Sequence, residues 1–256
     1  MPINFTQIFQ DSWNFMRNQP KITIQFIMLF FISSLATSLL IPNGALPTDL
    51  TVSEQTGTNE LQALITQTDT THSLAMLIQM VVTMFLSAWG TITIHRLSQR
   101  ANPALNQTFT VALKRFAGVL LINILTTALI AIGLLKASIA LLTNTPPSII
   151  AMLSIVLGVF IFIRLCLASV HYIITPLSLK IALVESWQAG IKQIFPLFIY
   201  CVIIYFALPL LIKNLAMISS NMIFDIIIMF LIAIFNMFSL IFTYRFYTLF
   251  MPNTVS

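Results

Sequence analysis

The sequence predicts an all-α, polytopic membrane helical bundle of six transmembrane helices with interfacial amphipathic helices. Three observations carry that prediction. Hydrophobic residues make up 58% of the 256 and charged residues 7%, against roughly 25% charged in soluble domains. A surface facing water needs charge and a surface facing lipid does not. Six apolar runs each approach or exceed the ~20 helical residues that cross ~30 Å of hydrocarbon, and no run alternates polar and apolar residues as barrel strands do.

The runs cover residues 22–41, 74–94, 116–142, 149–175, 195–212 and 222–242, the last continuing toward Phe250, in one six-span domain of residues 1–256. Pro42-Asn43-Gly44 closes the first run, and a turn at residues 143–148 separates the third from the fourth. The first run is longer than the ~7–15 apolar residues of a signal peptide and follows a polar segment, which predicts an uncleaved span. Pro209 is expected to kink the fifth helix, because proline removes a helix hydrogen bond.

The distribution of basic residues predicts the orientation. With the N-terminus inside, Arg17, Lys21, Arg96, Arg100, Lys114, Arg115, Lys180, Lys192 and Arg245, nine of the twelve, lie on the cytoplasmic side, where such residues are retained. The outer loop 43–73 has no Lys or Arg but carries Asp49, Glu54, Glu60 and Asp69. Both termini are therefore expected in the cytoplasm. Loop 43–73 reads as a polar connector, with a binding loop as the other reading. The net charge of +5 is dispersed among apolar runs, so topology accounts for it, and no nucleic-acid partner is expected. Membrane lipids are the expected partners. Cys166 and Cys201 lie in apolar stretches and read as small apolar side chains.

Two segments carry a sharper pattern. Over residues 4–18, Phe5, Ile8, Phe9, Ser12, Phe15 and Met16 share one helical face, and Gln7, Gln10, Asp11, Asn14, Arg17 and Asn18 fill the other. This predicts an amphipathic helix in the headgroup plane, with Trp13 as an interfacial anchor. Before the fifth span, Leu179, Leu183, Val184, Trp187 and Ile191 gather opposite Glu185, Ser186 and Lys192, making Trp187 a second anchor. Asp11-Ser12-Trp13 corresponds to Glu185-Ser186-Trp187. With residues 108–115 as a third candidate, the chain reads either as three copies of a surface helix plus hairpin or as a general habit of membrane-entering helices.

Ionisable groups inside spans cost ~2.5–3.5 kcal/mol on insertion scales and mark candidate sites. Arg164, in the fourth span, is open to four readings: bundle interior, aqueous cavity, lipid phosphate, or a side chain reaching the headgroups. Lys136 and Asp225 sit near the outer ends of their helices, where they either pair or each reach the headgroups; Asp225 also suits the first turn of its helix. His171 is expected at the interface. Asn123, Asn236, Gln25 and Gln79 are candidates for interhelical hydrogen bonds. No phosphate loop, zinc-protease helix or nucleophile elbow is present. No catalytic, cofactor-binding or metal residues are therefore assigned, and seven glycines offer few sites for close helix approach.

Residues 11–19 resemble the opening of the YciC family of bacterial inner-membrane proteins, and Tyr244-Arg245-Phe246-Tyr247-Thr248-Leu249 is similar to that family's closing motif. Arg164-Leu165-Cys166-Leu167-Ala168 and Ala182-Leu183-Val184-Glu185-Ser186-Trp187 resemble a wider group of six-span proteins, including membrane domains fused to some glycerophosphodiester phosphodiesterases. Where the family commonly shows Pro-Gly before the fourth span, this chain has Pro146-Pro147-Ser148. The resemblance implies a multi-pass inner-membrane protein and brings no catalytic residues. The expected role is non-enzymatic: structural, lipid-associated or envelope-maintaining. The alternative is a small transporter or channel with Arg164 lining an anion or lipid-headgroup path.

Overall fold

The computed structural model describes residues 3–40, 70–99, 104–217 and 222–251; most of loop 43–73 therefore lies outside the described residues. Helices α1 (Phe5–Asn18), α2 (Pro20–Leu40), α3 (Thr70–Ser98), α4 (Leu105–Leu142), α5 (Ile149–Leu165) and α6 (Ala168–Ile174) come first. Then follow α7 (Leu179–Lys192), α8 (Ile194–Cys201), a π-helical stretch at Val202–Ala207, α9 (Leu208–Ala216) and α10 (Met222–Phe250). Six helical stretches are long and apolar enough to cross a membrane, and no strand occurs among the described residues. The protein is a multi-pass, all-α membrane protein.

α1 starts where the Asn4 side chain accepts from the amides of Thr6 and Gln7. Ile8, Ser12 and Phe15 are buried while Trp13 is 57% exposed. The apolar face is turned onto α10 and α2: Phe5 stacks on Phe246 at 5.8 Å, and Phe9 meets Phe238 at 5.0 Å. α1 ends at a single non-helical residue, Gln19, with φ −122° and ψ 58°, before α2 begins. The α7–α8 junction repeats this at Gln193, with φ −139° and ψ 53°. Counting back from each glutamine, Ser12 and Ser186 occupy the same place and are both buried, as are Ile8 and Ala182 one turn earlier. Thr108 and Ala112 form a third buried pair. That segment is the start of the unbroken 38-residue α4, rather than a separate surface helix. At 1.5 Å per residue α4 is about 57 Å long, so it outruns the hydrocarbon.

Two spans depart from single regular helices. The fourth is interrupted at Cys166 and Leu167 between α5 and α6. In the fifth, the π-helical stretch Val202–Ala207 lies immediately before Leu208 and Pro209, so the disturbance expected at proline is taken up by widened turns.

Interhelical contacts set the order. α2 and α3 run antiparallel, with Thr37 Oγ1 donating to Gln79 Oε1 at 2.5 Å, Gln79 Nε2 donating to Ser34 at 3.3 Å, and Phe26 edge-on to Trp89. α3 and α4 are joined by Trp89 Nε1–H donating to Thr108 Oγ1 at 2.9 Å. α4 and α5 approach through two buried glycines. A Cβ on Gly158 falls 2.7 Å from the Ile130 backbone nitrogen, and one on Gly133 falls 3.0 Å from that of Ile155. Few as the glycines are, two of them set this contact. Gly158→Ala is expected to lower stability by about 1–3 kcal/mol, measured by unfolding in mixed micelles, because backbone atoms there cannot give way as a side chain does.

Candidate functional site: an intramembrane cavity and the network beside it

The bundle interior holds a cavity of about 280 Å³. Thr83, Ser87 and Thr91 reach it from α3, Asn123 from α4, and Cys166 and Ser169 from the α5–α6 break. Tyr200 and Tyr205 come from α8 and the π-helical stretch, and Asn236, Ser239 and Thr243 from α10. Both irregular backbone segments thus border the same space. No Asp, Glu, Lys, Arg or His lines it.

Some of these polar groups are satisfied by the protein. Thr91 donates to the Ser87 carbonyl at 2.7 Å, Asn123 Nδ2 to the Val119 carbonyl at 2.9 Å, and Tyr200 and Thr243 share a hydrogen bond at 2.9 Å. Thr83, Ser87, Ser169, Asn236 and Ser239 line the cavity with side chains that make no protein hydrogen bond among the described residues. In a membrane interior, polar groups need partners, and these side chains are free to bond water or the polar part of a ligand. The cavity's donors and acceptors are hydroxyls and amides, which match an uncharged polar group.

Beside the cavity lies a network centred on two fully buried side chains, His171 and Tyr247, with Glu185 half-exposed at its edge. His171 donates Nε2–H to Glu185 Oε2 at 2.8 Å, and Nδ1 shares a hydrogen bond with the Tyr247 hydroxyl at 2.9 Å. The His171 ring is 0% exposed, because α6, α7 and α10 close around it. One turn earlier on α10, Tyr244 meets His95 Nδ1 at 3.2 Å and Ser98 Oγ at 2.5 Å. The two tyrosines of the closing motif thus each engage a histidine. Single-sequence reading missed this, because the pairs are separated by 76 and 149 residues.

The predicted candidates are dispersed. Arg164, in the last turn of α5, is held between aromatic rings, its guanidinium carbon 4.9 Å from the Phe160 centroid and 4.8 Å from that of Trp187. Its Nε is buried without a hydrogen-bond partner, and it is not among the cavity's lining residues. Trp187, read as an anchor, is the cation–π partner of this arginine. Lys136 is exposed on α4 and Asp225 is half-buried in the first turn of α10. Gln25 is exposed, while Gln79 joins α2 to α3. Both cysteines are free and buried. Among the described residues no group of three or more His, Cys, Asp or Glu is placed to hold a metal ion.

Over 253 residues, 99% of this chain and the full length of the other, the sequence is 39% identical to an uncharacterised protein of Haemophilus influenzae. The chain belongs to that protein's family. No family model matches the chain, and no solved structure does. The near-complete overlap takes in both helix interruptions, the cavity and the closing motif of α10.

Removing the Tyr247 hydroxyl leaves the buried His171 without its Nδ1 partner. Tyr247→Phe is expected to cost about 1–3 kcal/mol, read by unfolding in mixed micelles. Glu185→Leu should destabilise more than Glu185→Gln, whose amide oxygen still accepts from Nε2–H; equal losses would mean that this hydrogen bond carries no stability.

Proposed function

We propose that this is a non-enzymatic, lipid-associated protein of the bacterial inner membrane, with both termini cytoplasmic, and that its central cavity holds the uncharged polar part of a bound lipid or small solute. The observation that carries the reading is the set of five unpartnered polar side chains around an intramembrane cavity without a charged group. The basic residues at one end of the bundle support the orientation. Membership of the YciC-like group is part of the same proposal. It rests on motifs that coincide with structural junctions: residues 164–168 span the α5–α6 break, residues 182–187 lie on α7, and residues 244–249 end α10.

A second reading, a small transporter, is favoured by one feature: both irregular backbone segments border the cavity, as interrupted helices border substrate sites in transporters. It moves the path from Arg164 to the cavity.

One comparison tests both. Protein extracted in mild detergent is examined by native mass spectrometry, and the same preparation is assayed for solute flux in proteoliposomes. Asn123→Leu combined with Asn236→Leu should remove a co-purifying molecule while helical content is retained; Arg164→Ala should leave it in place. Flux abolished by the asparagine variant selects the transporter. A wild-type protein that carries no molecule and moves no solute overturns both readings.

A further inference from the structure

A second cavity, of about 180 Å³, lies between α3, α4 and the C-terminal end of α6, with Ile173 as the wall it shares with the central one. Its floor is apolar, with Ile92, Val111 and Ile173, while His95, Arg96 and Arg115 give it a basic wall. Both arginines are half-buried. The Arg115 guanidinium donates through one nitrogen, Nη1, to the carbonyls of Tyr172, Ile173 and Thr175, closing the C-terminus of α6. Its other donors, and all those of Arg96, make no protein hydrogen bond among the described residues.

Acid is scarce here. Of the seven carboxylates in the sequence, three fall among the described residues, Asp11, Glu185 and Asp225, and Asp225 belongs to the first turn of α10. Glu185 is bonded to His171, and neither it nor Asp11 lines this cavity. Two half-buried guanidinium groups share one small cavity, and no carboxylate lines it among the described residues. A planar fork of N–H donors matches phosphate oxygens in particular. The α4 residues that line it, Val111 and Arg115, lie in the first third of a 38-residue helix that is longer than a span needs.

We propose that this cavity is a binding site for a phosphate group, with Arg96 and Arg115 as its ligands and His95 beside them. The phosphate comes either from an anionic lipid headgroup or from a soluble phosphate compound. The site is separate from the central cavity and takes the opposite chemistry, charged rather than neutral.

The test titrates purified protein in neutral detergent with dioleoylphosphatidylglycerol, dioleoylphosphatidylcholine and, separately, inorganic phosphate, reading adducts by native mass spectrometry. Arg96→Gln is the principal variant, because Arg96 holds no structural hydrogen bond, and Arg96→Lys tests rescue by charge. Preferential phosphatidylglycerol binding, weakened about tenfold in Arg96→Gln and partly restored in Arg96→Lys, supports the site and names a lipid source. Saturable phosphate binding without lipid preference, equally sensitive to Arg96→Gln, supports it with a soluble source. Equal binding of both lipids with no phosphate binding overturns the proposal, and so does a preference that Arg96→Gln leaves unchanged. The double variant Asn123→Leu, Asn236→Leu should bind phosphatidylglycerol as the wild type does, so failure of either cavity's assignment is read independently.

Discussion

Four consecutive side chains near the end of α10 determine how one end of the bundle closes. Tyr244 engages His95 and Ser98 of α3, and Arg245 sits 5.8 Å over the Phe15 ring of α1. Phe246 stacks on Tyr200 of α8 at 4.6 Å and on Phe5 of α1, and Tyr247 bonds His171 of α6, which holds Glu185 of α7. All but Arg245 are fully buried or nearly so. Between helices in lipid the hydrophobic effect offers little preference, since acyl chains are as apolar as leucine. Ring packing and hydrogen bonds must then specify the arrangement, and within a single turn α10 supplies one or the other to four other elements and reaches a fifth, α7, through His171.

That hub also explains why α1 is more than a surface float. Its amphipathic pattern is the one expected of a helix lying on a membrane, yet the residues that matter most on its apolar face, Ile8, Ser12 and Phe15, are buried in the described protein. The glutamine breaks after α1 and α7 place matching serines in matching buried positions. The start of α4 shares the buried pair without the break. The three candidate units therefore differ in one local feature, the non-helical residue that separates a surface helix from its span.

Much of this fold was legible in the sequence because apolar length and lipid thickness fix the spans directly. The amphipathic α1 was legible for a related reason, since its polar and apolar faces follow the helical period. The junctions were less so. Cys166 and Leu167 have no breaker chemistry, so the α5–α6 break does not announce itself in residue type. Thr108 looked like part of a separate surface helix because nothing in its neighbourhood says that α4 continues. The site was the least legible part. Asn123 and Asn236 were visible as intramembrane polar residues, but their convergence with Ser87, Ser169 and Ser239 depends on how five segments pack. Arg164 stood out by its charge alone, and its setting between Phe160 and Trp187 required the tertiary structure.

The central cavity depends on the same closure, for Tyr200 and Thr243 line it while their neighbours on α8 and α10 build the hub. If the end of α10 is the common anchor, weakening it should loosen elements remote in sequence together. Backbone hydrogen exchange on Phe246→Ala in detergent or nanodiscs reads this directly. Faster exchange is expected both in α1, residues 5–18, and in α8, residues 194–201, as well as around Phe246. Acceleration confined to the last turns of α10, with α1 and α8 unchanged, would contradict the account.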